Sequence, residues 1–176
     1  VIALRYQIMY FFYTRTLCLQ TSLGVLMAAG VGQNVVDSLG KKDLNLDGNV
    51  INLAIVGSSR FYDYEIFESL IDDWVDINGY PDLVIVGGAS GVDYMAERWA
   101  DNNSTPIAIF TEEWNDSDRT LRDRGRPEAG NSLTKKILNA ATDILAIPSK
   151  TSKWTRIIIE MASEMKIPTT IHEIID

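Results

Sequence analysis

Gly87, Gly88 and Gly91, set within Val86-Gly87-Gly88-Ala89-Ser90-Gly91-Val92-Asp93, mark a stretch whose backbone amides can do chemistry. A glycine lacks a Cβ, so its backbone takes positive φ and lets an anionic group come close to its N–H groups. A helix opening at Val92 aims its first-turn amides and its dipole at the same point. This outlines a phosphate-sized anion site, although the same turn also serves α/β folds as a bare strand-to-helix connection. A second small-residue turn, Gly57-Ser58-Ser59-Arg60, repeats the arrangement upstream. Its Arg60 offers a guanidinium fork for a phosphate held over Gly57 and Ser58, or else pairs with Asp63. Asp93, Glu112 and Glu113 are the candidate general acids or bases. Asp93 reads equally well as a helix first-turn acid. Neither turn has GxGxxG spacing, which argues against ordinary nicotinamide-dependent hydride transfer.

Other chemistries lack their residues. Cys18 is the only cysteine, which rules out an internal disulfide and any multi-cysteine zinc site. His172 is the only histidine and falls in the last strand pattern, where it reads as structural. Asp43-Leu44-Asn45-Leu46-Asp47-Gly48 imitates the start of a calcium loop, but Ala54 stands where the bidentate Glu belongs. A turn at Asp47-Gly48 is the better reading, and no metal is expected.

The glycine turns need strands before them and helices after them. Leu83 to Val86 and Ile51 to Val56 are continuous apolar runs, the pattern of parallel strands covered on both faces. Further strands are expected at Pro106–Phe110, Ile144–Pro148 and Thr169–His172. Helices follow at Val92–Ala100, Ser132–Ala141, Trp154–Met165 and after Asp63, a capping residue. In that last helix Ile66, Phe67, Leu70, Ile71, Trp74 and Val75 form an apolar stripe. The expected fold is α/β, a Rossmann-like, doubly wound, mostly parallel sheet of about five strands, with its ligand crevice at the strands' C-terminal ends.

The chain has 176 residues and a net charge of −8, and this acidity argues against general nucleic-acid binding. Residues 1–50 carry four basic and three acidic side chains, net +1, whereas residues 51–176 carry 12 and 21, net −9. Any anion bound by the glycine-turn domain must therefore be attracted locally. Residues 1–42 read as an extension and 43–176 as the domain. The extension is either helical or non-native upstream translation, since Val1 opens the chain and Met9 and Met27 offer other starts. Its apolar stretches are broken by Arg5, Gln7, Arg15 and Gln20, so no membrane span is expected. Leu17 to Gly30 resembles a signal peptide only faintly. A cytoplasmic location is expected.

The two turns in this order, Ile55-Val56-Gly57-Ser58-Ser59-Arg60-Phe61 and Val86 through Ala100, resemble the SLOG superfamily over roughly residues 51–174. That superfamily includes DNA-processing protein A and the "lonely guy" (LOG) proteins. The chain looks most like its small YspA/YpsA-like branch, found in bacteria and phages. The resemblance implies a nucleotide or nucleotide-derived ligand at the two turns, held by Gly57, Ser58, Ser59, Arg60, Gly87, Gly88, Ala89, Ser90, Gly91 and Asp93, with Asn131, Ser152 and Thr155 as further contacts. No other cofactor is implied. The sequence departs from the branch at Ala129-Gly130-Asn131-Ser132, which keeps the Asn of an Arg-Asn pair and lacks the Arg. Arg119, Arg122, Arg124 and Arg126 are candidate replacements. It departs again at Ser152-Lys153-Trp154-Thr155, with Trp154 where the family has Gly. Ile158 stands where LOG-type phosphoribohydrolases carry a catalytic Glu, so that hydrolysis is disfavoured.

Three functions follow as expectations. The first is a sensor or nucleotide-processing module that binds its ligand at the turns. The second is an enzyme acting on an N-glycosidic or phosphoester bond. The third is single-stranded DNA binding, in the manner of DNA-processing protein A, through Arg119–Arg126 with Trp114 and Trp154. A homo-oligomer is a further possibility, because the stripe Ile157, Ile158, Met161 and Met165 fits either core or dimer surface.

Overall fold

A computed structural model of the chain describes residues 29–111 and 126–175, with side chains from 32 to 111 and from 133 to 175. The strands are β1 (Ala29–Val31), β2 (Asn52–Gly57), β3 (Leu83–Val86), β4 (Ile107–Ile109), β5 (Asp143–Ile147) and β6 (Thr169–Ile171). The helices are α1 (Gly32–Leu39), α2 (Tyr64–Asn78), α3 (Val92–Asn102), α4 (Arg126–Ala140) and α5 (Lys153–Glu164). Among the described residues the strands form one six-stranded sheet in the order β1-β4-β3-β2-β5-β6. Every pairing is parallel. The fold is thus a Rossmann-like α/β sheet. From β2 the chain winds outward through β3 and β4, then returns to lay β5 and β6 on the other side. That reversal places a crevice between the C-terminal ends of β2 and β5.

Alternation along the strands sorts the core into two layers. Leu53, Ile55, Val84, Val86, Leu145 and Ile147 pack with Phe67, Ile71, Trp74, Met95 and Trp99 of α2 and α3. Ala54, Val56, Leu83, Ile85, Ile144 and Ala146 face the other way, onto α1, α4 and α5. The central strands are covered on both faces, which is why they read as unbroken apolar runs. The α2 stripe buries Phe67, Ile71 and Trp74, with Leu70 and Val75 half-covered, whereas Ile66 is 48% exposed. Ile66 lies one residue, about 100° of helix rotation, from the centre of that stripe. Asp63 caps α2 as expected, accepting from Ile66 N at 3.1 Å.

The sheet has one strand more than the five or so expected. The extra strand, β1, lies in the segment read as an extension and pairs with β4. Val35 and Leu39 of α1 enter the second core layer, so this part of the extension completes the domain. α4 begins at Arg126, six residues before the expected Ser132. Pro127 sits in its first turn, where a missing N–H removes no helical bond.

The calcium-like segment spends its carboxylates on backbone. Asp43 accepts from Asp47 N at 3.2 Å and from Gly48 N at 2.8 Å. Beside it Asp82, 1% exposed, accepts from Leu44 N, Asn45 N and Ile51 N at 2.6, 3.0 and 2.9 Å, and so ties the loop to the N-terminal ends of β2 and β3. Leu44 and Asn45 donate to Oδ1 and Ile51 to Oδ2. In Asp82→Asn one oxygen becomes an NH₂ that cannot accept. Unfolding in urea is expected to show a loss of about 2 kcal/mol, the scale of an unmet amide bond to a charged acceptor.

Candidate functional site

The two small-residue turns meet at the C-terminal edge of the sheet. Val92 N donates to Ser58 O at 3.0 Å, and Ser90 Oγ donates to Ser59 O at 3.0 Å. The first turn is also anchored to β5 and α5, because Ser58 N donates to Ile147 O at 3.0 Å and Thr155 Oγ1 to Gly57 O at 3.1 Å. Gly57 is a packing requirement, since a Cβ there would lie 2.6 Å from Val92 Cγ2 and 2.7 Å from Ile147 O.

Asp93 decides the chemistry of the second turn. It lies in the first turn of α3, and its carboxylate folds back so that Oδ2 accepts from Gly87 N and from Ala89 N, each at 3.1 Å. The loop amides that outlined an anion site therefore already hold an anion, supplied by the chain itself. Asp93 is 7% exposed. Burial raises its pKa from 3.8 to about 6, against the opposing pull of the Ala89 and Gly87 amides and with a further upward push from Glu97. Burial likewise raises the pKa of Glu97, one turn along α3.

Behind these turns a cleft of about 240 Å³ opens between α4 and α5. Its walls are Val56, Leu133, Ile137, Trp154 and Ile158, with Thr134 and Thr155 adding hydroxyls. Gly57, Ser59, Gly87, Ala89 and Asp93 close its end at the two turns. Trp154 is 38% exposed and presents an indole to the cavity, a surface suited to stacking. Ile158 also lines it, adding a further apolar side chain. Among the described lining residues there is no Lys or Arg.

Of the residues singled out in the sequence, the structure brings Gly57, Ser59, Gly87, Ala89, Asp93 and Thr155 to the cleft. Ser58, Arg60, Gly88, Ser90, Gly91 and Ser152 are not in its lining. Ser58 is buried, and its Oγ accepts from Arg60 N at 3.3 Å. Arg60 is exposed and makes no ion pair among the described residues, so its pairing with Asp63 does not occur there. Ser152 precedes α5, but its Oγ accepts from Ser149 N at 3.0 Å and does not cap the helix. Glu112, Glu113, Trp114, Arg119, Arg122 and Arg124 lie outside the described residues, as do the side chains of Arg126 and Asn131. Leu133, Thr134 and Ile137 have no counterpart in the sequence reading; they are spaced as an ordinary helix face, and only the packing of α4 turns them toward the cleft.

No protein-family model matches the chain, and no curated protein matches it. Among the described residues no helix is long and apolar enough to cross a membrane. Of the stripe Ile157, Ile158, Met161 and Met165, Ile158 and Met161 pack against the second core layer, while Met165, just past the end of α5, is 44% exposed.

Proposed function

We propose that this chain is a SLOG-like binding domain for a small nucleotide-derived molecule, held in the cleft at the point where the strand order reverses. The observation that carries this reading is the composition of the cleft. Apolar walls and an exposed indole face a few convergent polar groups, the usual make-up of a small-ligand site. The cleft lies beyond the C-terminal end of β2, between the turn that follows β3 and helix α5 that follows β5, beside the reversal where open α/β sheets take their ligands. The order of the two turn motifs, resembling the SLOG superfamily, agrees with a ligand of this class.

The test is thermal unfolding of the full chain, with β1 and α1 present, against AMP, ADP-ribose, NAD, cyclic nucleotides, nucleosides and a short single-stranded oligonucleotide. A ligand at 100 times its dissociation constant is expected to add about 2.7 kcal/mol, raising the midpoint by a few degrees. The shift should shrink in Trp154→Ala, which strips the stacking surface. A shift with the oligonucleotide alone would favour DNA binding instead.

Asp93 supports a second reading, that of an enzyme. A carboxyl group that keeps its proton up to about pH 6 at the end of a cleft is suited to general acid or base work on an N-glycosidic bond. Product formation from any stabilising ligand separates catalysis from binding. The LOG-type route is disfavoured by Ile158.

A further inference from the structure

We propose that Asp93 makes the cleft selective for a nucleoside over the corresponding nucleotide, by accepting a hydrogen bond from the sugar hydroxyls where a phosphate would otherwise sit. This rests on the binding reading above and sharpens it to a ligand class.

The argument begins with which groups at the glycine turn remain free. An anion at a glycine-rich turn is held by loop N–H groups. Here the Gly87 and Ala89 amides both donate to Asp93 Oδ2 at 3.1 Å, so a phosphate would have to displace an internal carboxylate already in place. It would do so against like charge, because Asp93 lines the cleft and Glu97 stands one turn behind it on α3. No Lys or Arg among the described lining residues offsets that repulsion. The segment from 51 to 176 carries net −9, so the surrounding field offers an anion no help.

The other oxygen, Asp93 Oδ1, accepts no hydrogen bond among the described residues. The Asp93 side chain is only 7% exposed and stands at the end of the cleft, so Oδ1 is a charged acceptor held in place for a donor that a ligand brings. Vicinal hydroxyls supply donors without adding charge, and they match a carboxylate as they do in dinucleotide sites, where an acidic residue takes the ribose. The rest of the ligand must suit Trp154, Leu133, Ile137 and Ile158, which favour a flat, weakly polar ring. At about 240 Å³ the cleft is smaller than the roughly 300–1,000 Å³ typical of drug-sized ligands, which also favours the smaller, phosphate-free molecule.

The experiment is isothermal calorimetry on the full chain at pH 7.5 with adenosine, guanosine, cytidine and uridine, their 5′-monophosphates and their 2′,3′-dideoxy forms. At least one nucleoside is expected to bind tenfold or more tightly than both its monophosphate and its dideoxy form. Asp93→Asn supplies a second arm. Both loop amides bond to a single oxygen, so the asparagine carbonyl can keep them while its NH₂ replaces the accepting Oδ1. Nucleoside affinity should then fall tenfold or more with the unfolding transition still cooperative. If that variant fails to fold, the dideoxy comparison on the wild-type chain still decides. A monophosphate that binds more tightly than its nucleoside, with binding lost in Trp154→Ala, overturns the selectivity while leaving the cleft as the site. Indifference to the 2′,3′-hydroxyls overturns it too. Absence of binding by every compound overturns the selectivity, while a midpoint shift with ADP-ribose, NAD or a cyclic nucleotide would still uphold the binding reading.

Discussion

Gly91→Ala is expected to destabilise the chain by roughly 4 kcal/mol, combining a backbone conformation of the glycine-only kind with a steric clash. Gly91 has φ 70° and ψ −120°, a region where an L side chain is strained. An added Cβ would also overlap Ser58 O and lie 2.6 Å from the Ser59 carbonyl carbon, and both neighbours are backbone. Relief requires the two turns to part, which breaks the bonds from Val92 N to Ser58 O and from Ser90 Oγ to Ser59 O. Gly48 supplies the control, since its φ is +91° but no atom beyond its own chain neighbours lies within 4 Å of the added Cβ. Gly48→Ala should lose only about 1 kcal/mol, the strain alone. Urea midpoints for the two variants measure the difference. Equal losses would mean that the turns are not locked through Gly91. Because the same contact sets the end of the cleft, Gly91→Ala should also weaken any ligand that Trp154→Ala weakens.

The turns and the central strands were legible in the sequence because their causes are local. Leu53–Val56, Leu83–Val86 and Ile144–Ile147 are buried on both sides, so every residue in them had to be apolar. The helix faces followed from 3.6-residue spacing. β1 escaped because Ala29-Gly30-Val31 is three residues long and nearly featureless; its strand character comes from pairing with β4. Asp82 escaped for a similar reason. It reads as the polar boundary of a strand, whereas its three amide donors lie 31 to 38 residues away in the chain. At the site, the glycines were legible and the occupant of their amides was not. Spacing shows that Asp93 opens a helix; it does not show that the carboxylate turns back onto Gly87 and Ala89 and converts a receptor for anions into an acceptor for donors.

That conversion has a consequence for stability that Asp93→Asn isolates. Burial holds the native pKa of Asp93 at about 6, above the 3.8 of a free side chain. Between roughly pH 4 and 6 the native chain keeps a proton that the unfolded chain has released, so stability falls as the pH rises through that window. The contribution is fully present below about pH 4 and lost above about pH 6. A rise from 3.8 to about 6 corresponds to about 3 kcal/mol. Asparagine carries no charge at any of these pH values and keeps one acceptor oxygen for both loop amides, so it escapes the loss. Asp93→Asn is therefore expected to match the wild type near pH 4 and to exceed it by up to about 3 kcal/mol at pH 7 to 8. Other carboxylates raised by burial, Asp72 and Glu97 among them, titrate in both proteins, so they largely cancel in the difference. Urea unfolding of both proteins across pH 4 to 8 gives that difference directly. Parallel curves would mean that Asp93 is not buried as an anion against the loop. A gap that opens with pH, together with loss of nucleoside binding in the same variant, would show a carboxylate kept at the cleft at the expense of stability, the trade expected of a residue retained for its ligand.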